Sequence, residues 1–410
     1  MHDLTQHAQT SGPAMRPVHL PSRVLMFLLV TVLMAAACAD DDAESDDGAT
    51  AATEESAADG PTEQDAPTAD DDGMTEPADG VGSAVDQTPA DLTVGALVGR
   101  AGLTTGTWPA GVEYSGCAAE ENLTVELVSL ASAGDGINGL LSGSLDIVHM
   151  GSEGIISQAN GEDIVGVATS NSFAPWFVMT SPDIASWDDI PGELRTVGVS
   201  GLQAVTAAAW RGFADAEGLV EGEDYELIVT GATAATFTAL TEGQIDIGPF
   251  TAPFAFIAES EGFTNLGLHP PSMETPFVMQ GGGAQVRADW AEENESALVR
   301  YLSCVVWFSE WLHDPANVAD VVEFLQTGMD FADTDVAILE RTVDLYTAPS
   351  PIEGAAGIGW PEDFHFYRPS VEAAIQQYLE VEAITEAIDP EDFIEERYLD
   401  AAIAYVEASG

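Results

Sequence analysis

Short apolar runs alternate with segments of helical periodicity from about Asp91 onward. Most of these runs have the length of buried strands, and Gly, Pro, Asn or Ser residues bound them. We predict strands at 92–98, 123–130, 145–149, 164–168, 196–200, 225–230, 245–248 and 277–286. We predict helices at 136–141, 154–160, 201–216, 233–240, 253–261, 292–312, 318–325, 334–345 and 371–380. This alternation is typical of an α/β fold built on mostly parallel sheets.

One phrase occurs twice, about 100 residues apart. The first copy is Leu140, Gly143, Leu145, Asp146 and Ile147, and the second is Leu240, Gly243, Ile245, Asp246 and Ile247. In both copies a helix-like run ends at a Gly, an apolar strand with one Asp follows, and a loop of small polar residues comes next. Junctions of this kind are common in α/β proteins. The repeat nevertheless favours two similar lobes with a ligand between them, because ligands bind outside the carboxyl ends of parallel strands.

The two repeated aspartates lie within strands at equivalent positions. We therefore expect them to share a structural role, such as binding a neighbouring loop. Loops at 170–175 and 270–273 interrupt the alternation, and we interpret them as crossings between the lobes. The predicted domains are a first part of lobe 1 at 91–172, lobe 2 at 173–272, and a return to lobe 1 with C-terminal helices at 273–410.

Residues 1–38 have the character of an export signal. Arg16 and Arg23 precede an uncharged apolar run at 24–37, which is too short to span a bilayer. Its end, Ala35-Ala36-Ala37-Cys38, resembles the lipobox of bacterial lipoproteins, in which the Cys thiol carries diacylglycerol, although Ala35 stands where that motif prefers Leu. The alternative is an ordinary secreted protein cut near Ala37. Met1 and Met15 both remain possible starts.

Residues 39–90 consist mainly of Asp, Glu, Ala, Thr, Gly and Pro. Such a segment cannot bury enough apolar surface to offset its ordering entropy, so we predict a disordered acidic tether. With a lipidated Cys38, the tether would hold a folded body on the extracytoplasmic face of the cell membrane.

Acidic residues dominate the body as well as the tether. The formal net charge is −60, and residues 91–410 contain 52 acidic residues against eight arginines. This charge argues against nucleic acid or an anionic membrane surface as a partner. It favours solubility in a salty, halophilic setting, which concerns the environment rather than the activity.

Several kinds of chemistry are excluded by residue types. The chain has no lysine, so it can build no Schiff base, pyridoxal linkage or P-loop. Three cysteines are too few for a zinc or iron–sulfur site, and the histidines show no metal-binding spacing. His149 sits in an apolar strand and is interpreted as a core residue, while Ser152 lacks the nucleophile-elbow motif. Cys117 and Cys304 either form a disulfide or remain two buried thiols.

Polar helix starts follow strands of both predicted lobes. Helix N-termini expose unpaired N–H groups with partial positive charge, and neighbouring hydroxyls add orientable donors and acceptors. For any single start, ordinary capping explains the residues as well. Convergence of several starts favours a binding site. The starts are Ser132-Ala133-Gly134, Gly151-Ser152-Glu153, Ser200-Gly201-Leu202-Gln203, Gly231-Ala232-Thr233 and Thr251-Ala252.

Other side chains near these loops are candidates for ligand contact. Glu153 either caps its own helix or meets an amine or hydroxyl of the ligand. Arg100 follows the first strand, where a surface position is the alternative. Four aromatic residues are candidates to cover a ligand face or to fill the core, and we include Trp176 in the predicted site. These four are Trp108, Phe173, Trp176 and Phe250.

The order of several short motifs resembles the solute-binding proteins of ABC importers. Within them it is most similar to the nitrate, sulfonate, taurine and thiamine-pyrimidine-precursor binding group, and the likeness covers about 91–300 well. The motifs are Val128-Ser129-Leu130-Ala131-Ser132-Ala133-Gly134-Asp135, Gly143-Ser144-Leu145-Asp146-Ile147, Gly151-Ser152-Glu153-Gly154, Ser181-Pro182-Asp183-Ile184, Val197-Gly198-Val199-Ser200-Gly201 and Gly243-Gln244-Ile245-Asp246.

This resemblance implies a two-lobed type II periplasmic-binding fold that captures a small solute and delivers it to a membrane permease. It implies a monomer without catalytic activity, cofactor or metal. Carried onto this sequence, the cleft loops of the family fall on Ser132, Gly151, Ser152, Glu153, Asn171, Ser200, Gln203, Thr233 and Thr251. Helix starts favour an anion such as a sulfonate, whereas Glu153 and the aromatic residues favour an amine or a planar heterocycle.

Two other functions remain open. One is a sensor module that reports the ligand to a membrane partner. The other is an enzyme, because some proteins of this fold make the thiamine pyrimidine with a lysine-bound pyridoxal phosphate. The absence of lysine argues strongly against the enzyme.

Overall fold

Two five-stranded sheets organise the residues that the structure describes. The computed structural model describes residues 85–173, 176–268, 278–350 and 352–409. The predicted signal peptide, Cys38, most of the predicted tether and the predicted crossing at 270–273 lie outside these ranges. The strands are β1 (Ala90–Leu97), β2 (Leu123–Leu130), β3 (Ile147–Met150), β4 (Ile164–Phe173), β5 (Phe177–Thr180), β6 (Arg195–Val199), β7 (Tyr225–Val229), β8 (Ile247–Phe250), β9 (Thr264–Leu268) and β10 (Val278–Arg287).

Helices separate most of the strands and complete the C-terminal part of the chain. They are α1 (Thr107–Ser115), α2 (Cys117–Glu120), α3 (Ala133–Ser142), α4 (Gly154–Ala159), α5 (Val205–Ala216), α6 (Thr233–Thr241), α7 (Phe254–Ser260), α8 (Ala288–Glu293), α9 (Glu295–His313), α10 (Val318–Thr327), α11 (Val336–Tyr346), α12 (Arg368–Glu380), α13 (Pro390–Phe393) and α14 (Arg397–Ser409). Within the described ranges, no helix is long and apolar enough to cross a membrane.

The two sheets share one topology. The first sheet has the order β2-β1-β3-β10-β4 and belongs to lobe 1, and the second has the order β7-β6-β8-β5-β9 and belongs to lobe 2. In each sheet the fourth strand is antiparallel to both neighbours, and the other pairings are parallel. The predicted mostly parallel sheets are confirmed. The antiparallel strand of each sheet comes from the chain as it arrives from the other lobe.

Residues 170–173 were predicted as part of a loop, but they continue β4. The pairing of β4 with β10 contains register shifts around Gly282 and Gly283, which accommodate the polar, non-alternating sequence Ser170-Asn171-Ser172. The sequence pattern also missed β5 and β9. They have four and five residues.

The repeated phrase builds the same structure twice. Gly143 and Gly243 end α3 and α6 with φ angles of 70° and 69°, a left-handed conformation that glycine adopts without strain. The following Asp146 accepts a hydrogen bond from the Thr93 backbone N–H (2.7 Å) at β1. Asp246 likewise accepts from the Thr196 N–H at β6 (2.8 Å) and from the Thr196 hydroxyl (2.8 Å). The prediction of a shared structural role is correct, and the neighbouring segment in each lobe is the first parallel strand.

A disulfide joins Cys117 of α2 to Cys304 of α9, with the two Cα atoms 5.7 Å apart. Cys304 is fully buried in the core beneath the first sheet. The disulfide therefore ties an early helix of lobe 1 to the long C-terminal helix that packs on it.

Two buried tyrosines from the C-terminal helices hold the loops that follow β3 and β8. The Tyr378 hydroxyl of α12 lies 2.9 Å from the Ser152 hydroxyl in lobe 1. The Tyr346 hydroxyl of α11 donates to the Ala252 carbonyl in lobe 2 (3.0 Å). Helix α12 also reaches lobe 2, because the Gln377 amide donates to the Ala208 carbonyl of α5 (3.3 Å). The C-terminal helices thus support both lobes from behind the loops.

Candidate functional site

A cavity of about 610 Å³ lies where the carboxyl ends of the parallel strands of both lobes meet. Its size is in the range of known small-molecule sites. Lobe 1 contributes the loops after β1, β2 and β3, and lobe 2 contributes the loops after β6, β7 and β8. The wall is therefore built from both lobes, and a molecule inside it would be held from two sides.

Eight of the ten ligand-binding residues predicted from the sequence line this cavity. They are Ser132, Gly151, Glu153, Trp176, Ser200, Gln203, Thr233 and Thr251. The loops nominated by the repeat and by the helix starts thus come together in space. The helix predicted from residue 201 begins only at Val205, so Ser200 and Gln203 lie in the loop before α5.

Ser152 and Asn171 do not line the cavity. The Ser152 hydroxyl is completely buried and is paired with Tyr378. The Asn171 side chain is also completely buried, and its amide donates to the Phe173 carbonyl (3.0 Å). Both residues therefore support the backbone behind the wall. Sequence position alone could not separate them from neighbours that face the cavity.

Of the four aromatic candidates, only Trp176 is part of the wall, and its side chain is 6% exposed. Trp108 packs edge-on against Phe364, with ring centroids 5.0 Å apart. Phe250 packs in the same manner against Phe237 (6.2 Å). Phe173 belongs to a separate apolar cluster with residues 355 and 358. The core interpretation is correct for these three.

Arg100 and His149 are both committed elsewhere. The Arg100 guanidinium donates to the Gly328 carbonyl (2.5 Å) and to Glu113 (2.6 Å), away from the cavity. The His149 ring nitrogen Nε2 lies 2.8 Å from the Tyr301 hydroxyl, and burial lowers the pKa of His149 to about 3. As predicted, His149 is a neutral residue of the core.

The helix starts at the cavity differ in how they are capped. Ser132 and Asp135 form a capping box at α3, so the Ser132 hydroxyl is already bonded to the helix that it begins. The Ser200 hydroxyl lies 2.7 Å from that of Thr206. Helices α5 and α6 begin after alanines and, among the described residues, have no side-chain cap. Apart from the Val205 N–H, which faces the Glu153 carboxylate, the first N–H groups of these two helices therefore have no side-chain partner at the cavity wall.

Glu153 is the charged group most closely built into this wall. It precedes α4, yet its carboxylate makes no capping hydrogen bond to that helix among the described residues. Its Oε2 atom is buried and has no hydrogen-bond partner within the described ranges. Burial raises the pKa of Glu153, and the N–H groups of Glu153 and Val205 oppose this shift. Because Val205 begins α5, the carboxylate lies between the two lobes.

The wall extends beyond the helix starts that the sequence singled out. It includes Ile156 and Ser157 of α4, Asn160 directly after α4, and Thr236 of α6. Together with Glu153 and Thr233, these residues are spaced three or four apart, so each set shares one helix face. Extending the helical periodicity beyond each predicted helix start would have identified these residues.

No basic side chain is part of the cavity wall among the described residues. Seven of the eight arginines in these ranges form ion pairs with carboxylates outside the cavity. The eighth, Arg300, donates to three backbone carbonyls. The charged groups of the wall are the carboxylates Glu153 and Glu162.

The described residues contain no cluster of His, Cys, Asp and Glu that could hold a metal ion. The hydroxyls on the described wall have no histidine beside them on that wall to act as a general base. The arrangement is suited to hydrogen bonding and enclosure of a small molecule.

The two lobes share one topology and enclose a cavity at the ends of their strands. This is the arrangement of a type II periplasmic-binding-protein fold. Residues 98–326 match the model of the NMT1-like family, and the chain belongs to this family. Among curated protein sequences, none matches the chain at a significant level.

Solved structures of binding proteins share the fold. The nitrate-binding protein NrtA from Synechocystis PCC 6803 matches with a TM-score of 0.62 and 14% identity, over 78% of this chain and 89% of NrtA. The ligand-binding component of an ABC-type import system from Staphylococcus aureus, solved with zinc bound, matches with a TM-score of 0.60 and 13% identity, over 76% and 98% of the two chains. A mutant of the enzyme DszB, solved in complex with biphenyl-2-sulfinic acid, also matches (TM-score 0.55, 10% identity, 78% and 100% coverage).

Proposed function

We propose that this protein is the solute-binding component of an ABC importer. The observation that carries the proposal is the cavity between the two lobes, which is walled by polar loops from both lobes and by no catalytic pair among the described residues. Nitrate-binding and import-system proteins of the same fold support it. The solute would be small and polar, and the predicted site residues Ser132, Gly151, Glu153, Trp176, Ser200, Gln203, Thr233 and Thr251 would contact it.

Capture would proceed by closure of the lobes. Contacts from the wall would replace cavity water, and a solute that touches both lobes binds the closed form better than the open one. The closed form would then be recognised by a membrane permease. The protein would act as a monomer, without a cofactor.

A screen of candidate solutes tests this function. In thermal unfolding, a ligand at 100 times its dissociation constant should stabilise the protein by about 2.7 kcal/mol. We expect at least one class among nitrate, alkanesulfonates, pyrimidines and small amines to raise the melting temperature of the full chain in a saturable manner. If no member of any class changes it, the proposed function is contradicted for these solutes.

The protein would work on the extracytoplasmic face of the membrane, anchored by lipid on Cys38. The apolar run at 24–37 and the small residues before Cys38 support this proposal. Cells that express the chain with a radioactive fatty acid should incorporate label into it. The Cys38→Ala variant should lose the label and be released from the membrane fraction. Equal labelling of the variant, or an unlabelled parent protein, would contradict the anchor.

A further inference from the structure

The carboxylate of Glu153 is exceptional among the polar groups of the cavity wall. It folds over Gly151, where an added Cβ atom would collide with Oε2. The residue before it, Ser152, is fixed to the Tyr378 hydroxyl (2.9 Å), which restrains the backbone that positions the carboxylate. The site thus keeps a carboxylate oxygen out of water and leaves it unpartnered by the described residues.

An unpartnered buried carboxylate oxygen is costly, because removal from water is not repaid by a hydrogen bond. Glu153 as a whole is only partly buried and lines the cavity, so a solute that brings an N–H donor would supply the missing partner when the lobes close on it. Among the described residues no basic side chain supplies this donor, since their arginines are held outside the cavity. The sequence contains no lysine, and residues 269–277 contain no arginine.

The carboxylates of the cavity wall disfavour an anionic solute. An anion bound at the uncapped starts of α5 and α6 would share the cavity with Glu153 and Glu162, and no basic residue of the described wall would compensate. Two like charges in a partly desolvated space repel strongly. The N–H group of Val205, at the start of α5, already faces the Glu153 carboxylate.

We infer that the solute carries a protonated nitrogen, as an amine, amidine or guanidine, which donates a hydrogen bond to Glu153 in the cavity. Solutes whose only charge is negative are rejected. This inference rests on the proposed function and specifies the class of solute. A zwitterion satisfies it as well as a simple cation, because the shared chemistry is the cationic N–H donor.

The ligand-free protein provides one test. Burial raises the pKa of Glu153, so the folded state binds a proton more tightly than the unfolded state and stability falls as the pH rises past the unfolded pKa. Tyr378, the titratable neighbour on α12, has a pKa raised well above its usual value and stays neutral in this range. Glu153→Gln should therefore raise the melting temperature at pH 8, and the gain should shrink toward pH 5. A lower melting temperature at pH 8 would mean that the carboxylate is satisfied within the protein and would overturn the inference.

Titration calorimetry of the full chain provides the second test. The probes are ethanolamine, putrescine, guanidine, methanesulfonate, nitrate and a neutral pyrimidine. The wild type should bind at least one nitrogen cation and neither anion. Glu153→Gln should weaken that binding by about 100-fold or more, because the cation loses its counter-charge and an NH2 donor replaces one accepting carboxylate oxygen. Glu153→Asp, which keeps the charge, should retain more affinity than Glu153→Gln.

The matched control is Glu226→Gln, which changes an exposed glutamate of β7. This variant should leave the affinity unchanged.

The outcomes distinguish a failure of the inferred solute class from a failure of solute capture itself. Binding of an anion or the neutral pyrimidine without any nitrogen cation would overturn the inference and leave solute capture standing. Cation binding that Glu153→Gln preserves to within about threefold would also overturn it. If no probe of any class binds, both the inference and the proposed function fail for these solutes.

Discussion

Replacing Cys117 and Cys304 together with alanine should lower the free energy of unfolding by about 2–5 kcal/mol. The disulfide joins residues 187 positions apart, so it removes much of the freedom of the unfolded chain. It also anchors α9, whose buried face forms part of the core of lobe 1. Chemical denaturation of the wild type and the double variant would measure the difference.

Reductant provides the matched control for this experiment. Dithiothreitol should destabilise the wild type by a similar amount and should leave the double variant unchanged. Solute affinity should be the same in all folded forms, because neither cysteine lines the cavity. An equal free energy of unfolding for the wild type and the double variant would refute a stabilising disulfide.

Thr233→Trp should abolish solute binding, with a loss of affinity of about 100-fold or more. Thr233 is the first residue of α6 and lines the cavity, so an indole at this position would occupy volume that the solute needs. The residue is only partly buried, and we expect a change in stability within about 0.5 kcal/mol. Calorimetry with the solute found in the screen, together with a denaturation curve, would test both expectations.

Thr238→Trp is the control for the effect of adding a tryptophan to α6. Thr238 lies on the same helix, is exposed and does not line the cavity. This variant should bind as the wild type does. Unchanged affinity in Thr233→Trp would exclude the cavity between the lobes as the binding site, and an equal loss in both variants would indicate a general effect on α6.

The two-lobed arrangement could be predicted because the repeated sequence forms the same local structure in each lobe. The two copies of the phrase have the same left-handed glycine and the same aspartate bound to the first parallel strand of the lobe. Strands such as β2 could be recognised by their length and apolar content. The antiparallel strand β5 could not, since its four residues obtain their place from pairing with β8 and β9, which are distant in sequence.

The sequence could predict which loops form the candidate site, but it could not predict which of their side chains line the cavity. Sequence order placed Gly151, Ser152 and Glu153 on one turn, and only the structure separates them. Ser152 turns back to Tyr378, whereas Gly151 and Glu153 line the cavity. The partner tyrosine lies 226 residues away in the chain, so no local pattern could reveal it.

The difference between the two copies of the repeat bears most directly on ligand choice. Glu153 follows β3 in lobe 1, and Pro253 takes the nearly equivalent position after β8 in lobe 2. Glu153 lines the cavity, and Pro253 does not. The repeat therefore provides a common frame, and a single carboxylate at one of its two loops distinguishes the lobe 1 side of the cavity from the lobe 2 side.

The central claim is that a small solute is held between the two lobes, and the most direct test is to identify what the protein carries from its own cells. Full-length wild type and Thr233→Trp would be purified in parallel and denatured, and the released small molecules would be compared by mass spectrometry. We expect one solute with a protonated nitrogen, recovered in about equimolar amount from the wild type and absent from the variant. Recovery of the same molecules from both proteins, or of a solute without a protonated nitrogen from the wild type alone, would contradict this expectation.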